Sequence, residues 1–215
     1  MKEIFDISRP LSAALAPWPG DAGFDFKLNA RISEGASVNL GMISLSVHNG
    51  SHADAGFHFE EDGWTMERAE LTTYLGPAIV VDLCAKYGGQ SMPPMTCDDL
   101  AVWSDELREA PRLFLKTNVW RDSTIFPQRI PTIAPEVATW LRERGVRLLG
   151  LDVPSVDEIT SKELPNHHAL GAAGISIVES LDLSAIEPGR YQFAALPLKL
   201  AGADGSPVRA ILWRD

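Results

Sequence analysis

Cysteine is scarce in this chain. Its 215 residues include two, Cys84 and Cys97, thirteen positions apart, so they form neither a CxxC metal pair nor a CxxC redox pair. Two thiols in a chain of this length suit a reducing compartment. Positive charge is also in short supply. Lys and Arg total 19 against 29 Asp and Glu, for a formal net charge of −10. That speaks against a nucleic-acid or anionic-membrane partner, since both require a basic face. No run approaches the roughly 18 apolar residues that a bilayer crossing needs. The opening residues Met1–Asp6 carry a lysine but then alternate apolar and acidic side chains, without the apolar centre of a signal peptide. A cytoplasmic protein is expected. Internal repeats and low-complexity segments are absent too.

What is present is ordinary globular material, 45% hydrophobic and 22% charged, which excludes a disordered chain. The length is enough for a full core without disulfides. The one candidate linker, Gly88–Pro94, reads as a loop, and a single domain over 1–215 is expected. Short apolar runs predict strands at Glu3–Ser8, Val38–His48, Ala78–Leu83, Leu113–Lys116, Val146–Leu151, Ile175–Val178, Phe193–Leu198 and Val208–Trp213. Pro135–Gly145 has the Pro start, acidic first turn and Gly stop of a helix, and Cys97–Glu109 is a second candidate with Thr96 as N-cap. The class is α/β, dominated by sheet.

All five histidines fall in two clusters, His48/His52/His58 and His167/His168. His48, His52, Asp54 and His58 lie at even offsets, so an extended chain puts them on one face, with Ala53, Ala55, Phe57 and Phe59 on the other, against a core. Asn49-Gly50 is a turn signal that can break the register after His48. Imidazole with carboxylate is a donor set for zinc, and manganese tolerates it. Asp54 has two oxygens and can bridge two ions. Glu179, closing the apolar run Ile175–Val178, is costly to bury unless a cation or strong donors compensate. Against this stand simpler readings: a hydrogen-bonded structural role for the histidines, a capping role for His167 and His168, and a solvated strand-end charge for Glu179. Lys116 and Lys199 read as strand lysines with solvated ammonium groups.

The segment His48-xxx-His52-x-Asp54-xxx-His58 resembles the His-x-Gly-Thr/Ala-His-x-Asp-x-Pro-x-His signature of the metal-dependent cyclase-like hydrolases. Trp18-Pro19-Gly20-Asp21, Gly150-Leu-Asp152-Val-Pro154-Ser155-Val-Asp157, His167-His168-Ala169 with Glu179 twelve residues after His167, Leu196–Lys199 and Ser206–Ala210 match further family segments. Gly56 departs from the pattern, standing where most members have proline, and leaves the segment that aims His58 freer.

The resemblance implies a swivelling β/β/α fold, a homodimer and two divalent ions, zinc above manganese. It implies His48, His52, Asp54, His167 and Glu179 as metal ligands, with Asp54 and Glu179 bridging. It further implies His58 as catalytic acid/base and Trp18 in the substrate pocket. The implied reaction is hydrolysis of an aryl formamide, N-formyl-L-kynurenine, to L-kynurenine and formate. Hydrolysis of another amide, or of a cyclic amide such as isatin, is the alternative, and a metal-binding protein without catalysis is a further rival. Phe57, Phe59 and Trp64 are candidates for an apolar wall beside the aryl ring. Ser155 and Asp157 either meet the substrate's polar head group or form a structural turn.

Overall fold

The computed structural model describes residues 3–87 and 91–214; Gly88–Gln90 of the expected linker lie outside them. Eleven strands occur among the described residues: β1 (Glu3–Asp6), β2 (Asp25–Ala30), β3 (Leu40–Ser44), β4 (His52–Asp54), β5 (Leu75–Asp82), β6 (Arg112–Lys116), β7 (Leu148–Leu151), β8 (Ser176–Glu179), β9 (Gly189–Ala194), β10 (Gly205–Pro207) and β11 (Ile211–Arg214). The helices are short: α1 (Cys84–Tyr87), α2 (Cys97–Leu100), α3 (Glu106–Glu109), α4 (Val137–Glu143) and α5 (Pro165–Ala172). Nine strands form one sheet in the order β1-β11-β9-β5-β6-β7-β8-β4-β10. Strands β5 to β8 run parallel, and the outer pairs are antiparallel. The sheet curls until Ser8, just past β1, bridges Leu181, just past β8. The expected α/β class, dominated by sheet, is the one observed.

Period-2 alternation in the central strands builds two cores. Ile79, Val81, Leu113, Leu115, Leu149 and Ile177 face the helices and pack on Leu100, Leu107, Leu141 and Leu170. Ala78, Val80, Phe114, Leu148 and Val178 face into the curl, where Ala53, Ala55, Tyr74, Phe193 and Leu212 meet them. Gly150 makes room there, since a Cβ at that position would sit 2.3 Å from the Phe114 ring.

Several expectations need correction. The Val38–His48 strand shrinks to β3, which pairs only with β2 and is exposed along its length. Phe193–Leu198 shifts back to β9, leaving Leu196 and Leu198 exposed on either side of Pro197, which has no N–H for a ladder. The Cys97–Glu109 helix breaks into α2, one 3₁₀ turn and α3, although Thr96 does cap its start through a reciprocal bond with Asp99. Lys116 is buried. Its ammonium donates to the Ile186 carbonyl at 2.8 Å and lies 3.5 Å from Asp82, so it is no solvated lysine. No described helix is long and apolar enough to cross a membrane, and both cysteines are unpaired.

Candidate metal centre

Strand β4 places His52 and Asp54 two residues apart, so their side chains leave the same face, while Ala53 between them points into the inner core. Strand β8 pairs with β4 so that His52 lies opposite Glu179. That register brings the strand-end carboxylate to the same place, with Glu179 Oε2 3.6 Å from His52 Nε2. His167 enters from the first turn of α5, and its Nε2 lies 3.8 Å from both Asp54 Oδ2 and Glu179 Oε1.

The single extended face expected for His48, His52, Asp54 and His58 holds only for the middle two. His48 comes from a turn closed by Asn49 N–H to the Ser46 carbonyl, and His58 from a 3₁₀ turn at Gly56–His58. Both turns fold back over β4, and the His48 and His58 rings meet at a 36° tilt with centroids 4.0 Å apart. The result is two overlapping groups. Ligating atoms of His48, Asp54 and His58 lie within 4.8 Å of one another, and so do those of His52, Asp54 and Glu179. Asp54 belongs to both.

Two imidazoles have their outer nitrogens tied down. His52 Nδ1–H donates to the Gly50 carbonyl at 2.8 Å. His167 Nδ1–H donates to Asp157 at 2.7 Å. Both therefore present an Nε2 lone pair to the carboxylates, the arrangement that oriented metal ligands show. Asp157 is buried and also accepts the Asn166 and His167 backbone N–H groups, so it orients a histidine instead of meeting substrate.

The carboxylates fit a cation. Asp54 is buried, and neither of its oxygens has a hydrogen-bond partner. His48 Nδ1 at 3.1 Å and His52 Nε2 at 3.4 Å approach Oδ1 without hydrogen-bond alignment. Both oxygens are therefore free to take a divalent ion, and imidazole with carboxylate is a donor set that such an ion prefers. Burial, then the neighbouring Asp54, drives the Glu179 carboxyl well above its ordinary pKa. Burial also opposes ionisation of Asp54, but the His48 and His52 imidazoles outweigh it and hold that carboxyl well below its ordinary value. His48 is depressed by burial and raised more strongly by Asp204 and Asp54, which push it up to about 9. His58 is lowered, chiefly by burial. A dication would reverse the preference of Glu179 and let both carboxylates ionise.

Beside these groups opens a cavity of about 480 Å³, with His48, His52, His58, His167 and Glu179 along one side. Trp18, Trp120 and Phe126 form an aromatic wall: Trp18 meets Phe126 edge-on at 5.2 Å, and Trp120 meets it at 5.9 Å. Trp120 and Phe126 were not anticipated. The available signal was the position of Trp120 just past the carboxyl end of a parallel strand, β6, where α/β sheets place their ligands. Arg9 fixes Trp120 from behind, its guanidinium 4.2 Å from the ring and its Nη2 donating to the Trp120 carbonyl. Leu164 and Ser180 line the same cavity with φ of 43° and 58°, strained values of the kind found at ligand sites.

Of the other wall candidates, Phe57 is exposed, and Phe59 and Trp64 line a separate cavity of about 310 Å³. A Cβ on Gly56 would come 2.8 Å from the Trp64 indole, which gives a steric reason for glycine there. Ser155 lines the main cavity, with its hydroxyl accepting the Asp157 N–H.

Comparison with known proteins agrees with this picture. The Cyclase family profile matches residues 5–158. A kynurenine formamidase of Geobacillus thermodenitrificans is 43% identical over 212 residues, covering 99% of this chain and 98% of the relative. A solved structure described as a "potential metal-dependent hydrolase with cyclase activity" superposes with a TM-score of 0.82 at 26% identity over the whole of both chains. Isatin hydrolase A from Labrenzia aggregata shares the fold, with a TM-score of 0.82 over 99% of this chain and 93% of its own, at 23% identity.

Proposed function

Because this chain belongs to the Cyclase family and stands among its kynurenine formamidases, we propose that it hydrolyses N-formyl-L-kynurenine to L-kynurenine and formate with the help of two divalent ions. It is an arylformamidase, a hydrolase of linear amides. The observation that carries the metal reading is Asp54: both oxygens are buried without hydrogen-bond partners, while imidazoles from three different segments turn towards them. His48, His52 and Asp54 would hold one ion and His167 the other, with Asp54 and Glu179 shared. Zinc is the first choice and manganese the second. Bound there, such ions lower the pKa of water from about 16 to roughly 7 and polarise a carbonyl.

The chain's own groups do the rest. Of the four histidines around Asp54, His58 is the most open, with 30% of its side chain exposed. It takes the proton of the attacking water and returns it to the departing aryl nitrogen, which is a poor leaving group as an anion. Trp18, Trp120 and Phe126 line the cavity and offer the aryl ring an apolar wall. The reading places the reaction in the cytoplasm, in keeping with two unpaired thiols. It is tested by elemental analysis of the purified protein alongside a formate-release assay. About two ions per chain with formate released from N-formylkynurenine, and little ring opening of isatin, is the expected result. Metal-free protein with full activity, or isatin as the better substrate, overturns it.

A homodimer belongs to the same proposal. The β2–β3 ribbon exposes Phe26, Leu40 and Ile43 to more than half of their surface. A two-stranded ribbon is marginal alone in water, so a second copy packed on it supplies the missing cover. Leu40→Asp with Ile43→Asp is expected to convert a dimer into a monomer in sedimentation velocity; an unchanged dimer would move the interface elsewhere.

A further inference from the structure

Three imidazoles direct one nitrogen at Asp54, and each has an acceptor for the other. Gly50 serves His52 and Asp157 serves His167, and each is within ten residues of its histidine. The third acceptor is Asp204, 156 residues from His48, whose Oδ2 lies 3.0 Å from His48 Nε2. This carboxylate is brought in by the edge of the sheet. Strand β10 pairs with β4 so that Gly205 stands opposite Asp54, and the Ala55 N–H donates to the Asp204 carbonyl at 2.8 Å. The next residue completes the seat: a Cβ on Gly205 would lie 2.8 Å from His48 Cε1, so any other side chain would displace the ring.

We propose that Asp204 is a positioning residue of the metal centre, accepting His48 Nε2–H and thereby committing the Nδ1 lone pair of His48 to the position it shares with Asp54. The inference rests on the metal reading above. A neutral imidazole carries its proton on either nitrogen, and only the Nε2–H form leaves Nδ1 free to ligate. His48 sits on a turn outside the ladder, so its own backbone does not settle the choice. Asp204 is 3.6 Å from His58 Nδ1, too long for a hydrogen bond. Of the two rings, only His48 is hydrogen-bonded to it. Partners of this kind typically contribute about 10–100-fold to metal affinity.

The test is zinc affinity measured on metal-stripped protein by competition with a chromophoric chelator, a readout independent of turnover. Asp204→Ala is expected to weaken one of the two zinc equivalents by about 10–100-fold, and Asp204→Asn by less, since its amide oxygen still accepts a hydrogen bond. In a His48→Ala background, Asp204→Ala is expected to add nothing. Wild-type affinity in Asp204→Ala, or an undiminished effect when His48 is already gone, overturns the assignment while leaving the metal reading standing. Failure of the unsubstituted protein to bind zinc or manganese overturns both, and shows itself before any variant is made. Asp204 is a rim residue with 42% of its side chain exposed. Its backbone bond survives substitution, and thermal melts check that the variants fold. Should the alanine variant not fold, the isosteric Asp204→Asn carries the decision, wild-type affinity there counting against the proposal.

Discussion

His58→Ala is expected to lower formate release by about 10²–10⁴-fold while the bound metal stays near the wild-type amount. The geometry sets up a direct contest between two roles for this side chain. Its ligating nitrogen lies within 4.8 Å of those of His48 and Asp54, close enough for all three to share an ion. Yet the other three imidazoles have an outer nitrogen tied by bonds of 2.7–3.0 Å, whereas His58 Nδ1 is 3.6 Å from its nearest carboxylate. His58 is also set on a one-turn 3₁₀ segment instead of a strand. An untethered, more exposed ring suits a proton carrier whose partner is substrate, while a ligand needs a fixed direction. Elemental analysis separates the two. A variant that loses its metal together with its activity makes His58 a ligand, and the proton must then move by another route.

The parallel sheet was readable because β5 to β8 are short apolar runs buried on both faces. The even spacing of His52 and Asp54 was readable as a strand face for the same reason of period. The flanking histidines were not. His48 and His58 reach the centre through turns, and spacing along an extended chain carries no information about turns. Strand β4 is only three residues long, and its limits are set by its neighbours β8 and β10. Helix α5 has no apolar stripe to announce it. The closeness of Asp204 to His48 exists only once β10 pairs with β4. The aromatic wall was half visible. Trp18 stands in a family segment, Trp18–Asp21, but Trp120 is aimed by a stacked Arg9 from the other end of the chain, a tertiary contact without local signature. Lys116 was misread because a lysine ending a strand usually reaches water, and here the Ile186 carbonyl and Asp82 receive it inside.

Glu179→Gln is expected to abolish binding of at least one ion and to move thermal stability in opposite directions with and without metal. Glu179 Oε1 accepts the Val156 N–H at 2.9 Å, a bond that a glutamine carbonyl keeps. What the substitution removes is a buried acid facing Asp54, whose carboxyl is already pushed well above its ordinary pKa by burial and by that neighbour. In metal-free protein the amide therefore removes the cost of burying that acid, and the variant melts higher than wild type. For a chain of this size each 1 kcal/mol corresponds to about 2–4 °C in Tm. Metal-loaded protein shows the reverse, because a bound ion stabilises by about 2.7 kcal/mol at a hundred times its Kd, and the variant forgoes that gain. Asp54→Asn is expected to behave differently. His48 and His52 hold the Asp54 carboxyl well below its ordinary pKa, so losing its charge costs stability in the metal-free state and metal binding as well. Melts of both variants in chelator and in saturating zinc, with metal counts on each, read the four signs together. Wild-type stoichiometry in both variants would remove the shared role of the two carboxylates.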